Sequence, residues 1–209
     1  MRTILLAILF CWSQYVCAQI PNFDYGHFDA HTYTNSFFNL QMKFPEDWYI
    51  SSTETNNQLG KMGKELVTGD DANMKAMVDA NMIRVANLLS VFKFELGAPV
   101  DYNPGMVAVA ENLSIFTGIK TGHDYLENSK KIIEQSQLVY KSLTIDEKPI
   151  QLNGIAFYKM KGFLSIAGLE LQQEFYVTVR NKFALAFVIS YTKEEDQSDL
   201  FKILETIKM

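Results

Sequence analysis

The sequence predicts an α+β protein: an α/β/α sandwich whose central sheet is largely antiparallel and carries helices on both faces. Three observations lead there. The last third of the chain holds apolar runs separated by tight-turn residues, which forces antiparallel pairing. Amphipathic helical spacing appears early, in the middle and at the end. Two runs, 106–110 and 183–191, are apolar on both faces, as strands in the middle of a covered sheet are.

The elements follow in order. From Phe38 the chain alternates strictly: Phe38, Leu40, Met42 and Phe44 on one side, Asn39, Gln41 and Lys43 on the other, a half-buried strand. Pro45, Glu46 and Asp47 make a turn, and Trp48, Tyr49 and Ile50 resume as a short strand. A weaker helix covers 54–67, its propensity lowered by Gly60 and Gly63. Asp70 or Asp71 caps a second helix, with Met74, Met77, Val78, Met82, Val85 and Leu89 on one face. A strand near 90–96, a polar loop at 97–104 and the central strand at 106–110 come next. Thr121, with Asp124 three residues on, opens a helix whose inner face is Tyr125, Leu126, Ser129, Ile132 and Ile133. Asn153-Gly154 is the strongest hairpin signal in the chain. It leads into strands near 155–164, 169–179 and 183–191. Thr192 and Glu195 read as a capping box, and the last helix carries Leu200, Ile203, Leu204 and Ile207 on one side.

Residues 1–18 read as an export signal: Met1-Arg2 is basic, 3–10 are apolar, and Val16-Cys17-Ala18 puts small residues at −3 and −1 of a cleavage point before Gln19. The apolar run is too short for a bilayer-spanning helix, which needs roughly 20 residues. Cys17 as a lipidated residue is disfavoured, because Val16 stands where a lipobox takes Gly, Ala or Ser. Residues 19–31 read as an irregular lead-in and 32–209 as one domain, without linker, repeat or low-complexity tract. The expected location is exported, periplasmic or secreted. The chain has 19 basic and 24 acidic residues. Removing the leader takes Arg2 and both cysteines, Cys11 and Cys17, leaving 18 − 24 = −6 and no thiol chemistry. That acidic balance argues against nucleic acid as a partner. The sequon Asn112-Leu113-Ser114 falls in a predicted strand and is read as coincidental.

The order Thr32-Tyr33-Thr34-Asn35, Phe38, Lys43-Phe44-Pro45 and Trp48 resembles the opening of the PsbP-like superfamily: roughly Y-x-N-x-x-F, then an alternating strand ending in P-x-x-W. The ending is similar too, with a hairpin, an apolar strand through Ile189-Ser190-Tyr191, and a helix closing at Thr206-Ile207-Lys208. The likeness spans most of 32–208. It implies the same sandwich fold and a binding or accessory role; the superfamily has no shared active site, and fold does not imply function. Phe38, Pro45 and Trp48 read as strand, turn and core anchor, so no functional residue is carried over.

Candidate chemistry is sparse. His27, Asp29 and His31 have ligand character for Zn²⁺ or Mn²⁺, but a loose lead-in is the simpler account, and no metal or other cofactor is expected. His123 beside Asp124 reads as a first-turn surface residue, since no nucleophile-and-base motif accompanies it. Gly60-Lys61-Met62-Gly63-Lys64 lacks phosphate-loop spacing. Met74, Met77 and Met82 share a helix face that serves as core or as the lining of an adaptable groove. The loop at 97–104 is the best recognition candidate, with Asp101, Tyr102 and Asn103 at a sheet end. The expected role is a non-enzymatic, exported binding or accessory protein whose partner is another exported or membrane-associated protein. Two other classes stay open: a carrier holding a small apolar ligand between the sheet and the Met-bearing helix, and an enzyme with an unrecognised site.

Overall fold

A computed structural model describes residues 23–82, 84–166 and 168–209. The leader, Cys17 and the first four residues of the lead-in lie outside these. The chain runs β1 (His27–Asp29), β2 (Thr32–Asn35), β3 (Leu40–Lys43), β4 (Tyr49–Ile50), α1 (Thr53–Thr68), α2 (Ala72–Met82), β5 (Val85–Phe92), β6 (Gly105–Asn112) and α3 (Gly122–Glu134). It continues through β7 (Tyr140–Ile145), β8 (Ile150–Leu152), β9 (Ile155–Ile166), β10 (Leu169–Arg180), β11 (Phe183–Tyr191) and α4 (Glu194–Leu204).

The main sheet has the order β4-β5-β6-β11-β10-β9-β7, with β8 alongside β9. Every pairing in it is antiparallel. β11 is buried at all nine positions, as an apolar run in the centre of a doubly covered sheet must be. Leu59, Met74, Val78, Tyr125, Leu126 and Ile133 bring α1, α2 and α3 onto one face. Leu200, Ile203 and Leu204 bring α4 onto the other. There α4 shares the layer with a small sheet, β1-β2-β3, which adds Tyr33, Leu40 and Met42 to the same core.

Local chemistry accounts for the best-read elements. Thr121 and Asp124 form the reciprocal capping box at α3. The next residue must be glycine, because a Cβ on Gly122 would lie 2.3 Å from the Val177 carbonyl oxygen. Asp71 accepts from the Asn73 and Met74 amides at 2.9 and 3.0 Å and so caps α2. Asn153 and Gly154, at φ 49° and 80°, make the tight turn between β8 and β9 that a left-handed pair allows.

Several expectations are corrected. The described part of the lead-in is not irregular: β1 pairs with β2, and the Phe28 ring packs 5.3 Å from Tyr33 and 5.5 Å from Phe44. Three alternating residues are too few to signal a strand; distant aromatics stabilise it. The helix read through Leu89 ends at Met82, and the strand placed at 90–96 is β5, at Val85–Phe92. A strand buried on both faces is an unbroken apolar run, and such a run satisfies helical spacing as well as any other. Strand β3 begins at Leu40 because Asn39 turns the chain at φ 52°, though Phe38, Leu40, Met42 and Phe44 are all buried as predicted. Ile132 is only half-buried. The cap of α4 is Lys193, without a side-chain bond. The acids Glu194, Glu195 and Asp196 supply the first turn with charge instead.

Glu111, near the end of β6, supports a pH prediction. Burial pushes its pKa above the ordinary carboxylate value, against lowering by the Tyr125 hydroxyl, which donates to it at 2.8 Å, and by Arg84. A raised folded-state pKa means the native state binds the proton more tightly than the unfolded chain. Its contribution to stability is therefore present in acid and lost as pH rises through the folded pKa. Glu111→Gln is expected to flatten the melting temperature's dependence on pH above the ordinary carboxylate range. An unchanged slope in a pH series of thermal melts would refute this.

Candidate functional site

Between the end of β3 and the last turns of α4 lies a groove of about 460 Å³. That is a volume typical of ligand and anchor-residue sites. Its one wall is Lys43, Phe44, Pro45, Asp47 and Trp48; its other is Asp199, Lys202, Ile203 and Thr206, with Lys93 between. The apolar members follow from the strand-and-turn pattern. Phe44 ends the alternating row, Pro45 breaks the strand, and Trp48 folds back so that its amide donates to the Pro45 carbonyl at 3.2 Å.

Both walls are pinned. The Lys43 amide donates to Thr206 Oγ1 at 2.9 Å, and that hydroxyl donates to the Ile203 carbonyl at 2.7 Å. Lys93 Nζ reaches Asp196 at 2.8 Å and Asp199 at 3.1 Å, and Lys202 donates to the second Asp199 oxygen at 3.1 Å. The hydrogen bond to Asp196, with the one to Asp199, holds the Lys93 pKa above its ordinary value despite some burial. Lys93 and Lys202 hold the Asp199 carboxyl below the usual range. Both shifts favour the charged forms of Lys93 and Asp199, and charge-assisted hydrogen bonds of this kind are the strong ones.

The loop predicted to recognise a partner adjoins this region, since the Lys93 amide donates to the Pro104 carbonyl at 2.8 Å. Its three candidates divide. Asp101 is exposed. Tyr102 is buried against Leu164 and Leu171, and desolvation raises its pKa. Asn103 clamps Phe94: its Oδ1 accepts from the Phe94 amide at 3.0 Å, and its Nδ2 donates to the Phe94 carbonyl at 2.8 Å. Tyr102 and Asn103 therefore shape the loop, and Asp101 faces outward.

The other candidates fall apart in space. His27 and Asp29 lie on β1, and His31 in the turn after it. Among the described residues no three His, Cys, Asp or Glu side chains come together as a metal-binding group. His123 sits edge-on to Tyr158, 5.5 Å between ring centres. Met74 is a core residue and Met77 packs half-buried against the same core; the side chain of Met82 lies outside the described residues. The space between α3 and the sheet, lined by Val109, Tyr125, Leu126, Phe175 and Val188 among others, measures about 10 Å³. That is at most one water.

One polar cluster was not anticipated. Glu174 is buried and accepts from the hydroxyls of Tyr176 and of Tyr191, the latter at 3.0 Å, and from Gln197 of α4 at 3.3 Å. Lys161, partly exposed, lies 3.8 Å away. Desolvation first, then the Glu174 charge, raises both phenol pKa values. The local sequence hides it: Glu174 follows Gln172 and Gln173 at the polar edge of the apolar run from Phe175.

No family model matches the chain, and no curated protein does. Among solved structures the chain is similar to cyanobacterial PsbP from Synechocystis, at 10% identity and TM-score 0.47, covering 87% of this chain and 94% of that one. It is also similar to LpqN of Mycobacterium tuberculosis, described as involved in cell envelope biogenesis: 12% identity, TM-score 0.43, covering 82% and 84%. A third is a Pseudomonas aeruginosa protein of unknown function, at 13% identity and TM-score 0.42, covering 60% and 81%. The described residues form the α/β/α sandwich with an antiparallel central sheet that the sequence predicts. Among the described residues no helix is long and apolar enough to cross a membrane.

Proposed function

We propose that this is an exported accessory protein that binds another protein through the groove and the adjoining loop, and that it catalyses no reaction. One observation carries the reading: the groove's two walls are tied to each other, the Lys43 amide to Thr206 and Lys93 to Asp196 and Asp199. Rigid walls lower the ordering cost of association. Phe44, Trp48 and Ile203 supply an apolar floor and Asp47 a charged edge, the usual anatomy of a protein contact, and exposed Asp101 stands on the adjoining loop. The test is crosslinking of the protein in its own compartment. A discrete adduct is expected, lost in the double variant Asp47→Lys, Asp101→Lys, which alters only exposed positions. No adduct, or an adduct that survives the double variant, would sink the proposal, and native mass spectrometry that finds a bound small molecule would replace it with the carrier reading.

A further inference from the structure

The opposite end of the main sheet has a different character. Four segments meet there: 23–25, the turn 36–39, the loop 113–120 and the turn 180–182. Phe23 stacks against Phe37, Phe38 and Phe183 at 5.1, 5.9 and 5.4 Å, and edge-on against Tyr25 at 4.9 Å. Asn181 Nδ2 donates to the Phe37 carbonyl at 2.7 Å, and the Leu113 amide to the Lys182 carbonyl at 2.8 Å. The four segments are thus one structure. It leaves Ile115 62% and Tyr25 37% exposed; half-buried at the same end are Phe23 and Phe37, packed on the α4-side core, and Phe116, packed on the opposite one.

Its charge runs against that of the chain. The whole protein is net −5. These segments hold Lys120, Arg180 and Lys182 against one acid, Asp24. None of the three cations forms an ion pair among the described residues. The Asp24 carboxylate is already taken, accepting from the Gly26 amide, the Ser36 amide and the Ser36 hydroxyl at 2.8, 2.6 and 2.7 Å. Lys182 stands at φ 65° in a turn where glycine is the relaxed choice. A cation is thus kept at the apex despite backbone strain.

We infer that this end of the sheet docks on an anionic lipid surface: Ile115 and the aromatic rings enter the headgroup region, and Lys120, Arg180 and Lys182 meet lipid charge. Charge complementarity selects this occupant, since unpaired cations around exposed apolar and aromatic groups are what an acidic interface attracts. Along β11 the groove end lies roughly 27 Å away, eight strand steps. The protein can therefore sit on a bilayer and still present its groove.

The test uses protein purified from expressing cells in its processed form, its mass read first, and sedimented with vesicles. Binding is expected to vesicles containing about 30% phosphatidylglycerol in phosphatidylcholine, and to fall when salt shortens the screening length. Lys182→Gly is expected to raise the melting temperature by relaxing the turn while weakening binding about fivefold. Ile115→Ser, at an exposed position, is expected to weaken it about tenfold. Wild-type protein left in the supernatant, equal binding to pure phosphatidylcholine, or variants that sediment like wild type would each overturn the proposal. Crosslinking at the groove is read separately, so the two ideas fail independently.

Discussion

Phe187→Ala is expected to cost about 3–5 kcal/mol, the range for emptying a large aromatic site in a close-packed core. Phe187 is fully buried, sits mid-strand on the fully buried β11, and meets Phe157 edge-on at 5.9 Å. Its strand partner across β10 is Tyr176 and across β6 is Ala108. No neighbour can collapse into the space without dragging a paired strand with it. Domains hold only about 5–15 kcal/mol in total. The check is urea unfolding, where the midpoint should fall sharply with the slope unchanged. A loss below about 1 kcal/mol would mean that the site relaxes freely and that β11 is not the rigid centre described above.

The second large effect is expected at Glu174→Ala, at about 3 kcal/mol. The substitution strips the acceptor from two buried hydroxyls and from Gln197, and an unpaired buried donor costs more than the bond it once made. Glu174→Gln keeps an acceptor oxygen and is expected to lose less. The ion pair with Lys161 adds little, since that lysine is well exposed and solvent screens it. Chemical unfolding measures the totals. Hydrogen exchange should also show faster opening of α4, because Gln197 ties that helix to the cluster. Equal losses for the two variants would mean that charge, not acceptor geometry, is what the phenols need.

The fold was readable where a local rule decides it. The Asn153-Gly154 turn, the Thr121–Asp124 capping box and the doubly apolar β11 each depend on a few neighbouring residues. The leading alternation from Phe38 to Phe44 was read correctly as a buried face for the same reason. Failures came where distance decides. The first part of β5, through Leu89, satisfies helix spacing because nothing local separates a buried strand from a buried helix face, and β1 gives no signal because its stabilising rings come from Tyr33 and Phe44. The groove was less legible still. Its central pairs join Lys93 to Asp196 and Asp199, separated by 103 and 106 positions. Turn chemistry marks 97–104 as a loop, and the structure has no helix or strand there. The inward turn of Tyr102 and Asn103 was not legible, because which side of a loop faces the core depends on elements that arrive later in the chain.

The small sheet has a kinetic meaning. Gln41 and Lys208 exchange backbone hydrogen bonds at 2.9 and 3.0 Å, and the Lys43 amide reaches Thr206 across 163 positions. An early segment, 41–43, is thus closed by a late one, 206–208. Contacts of such sequence separation pay their loop-closure entropy before they return any stability, so they form late and slowly. A nascent chain lacking residues 206–208 has no partner for the outer edge of β3, and the layer beside α4 stays open until those residues arrive.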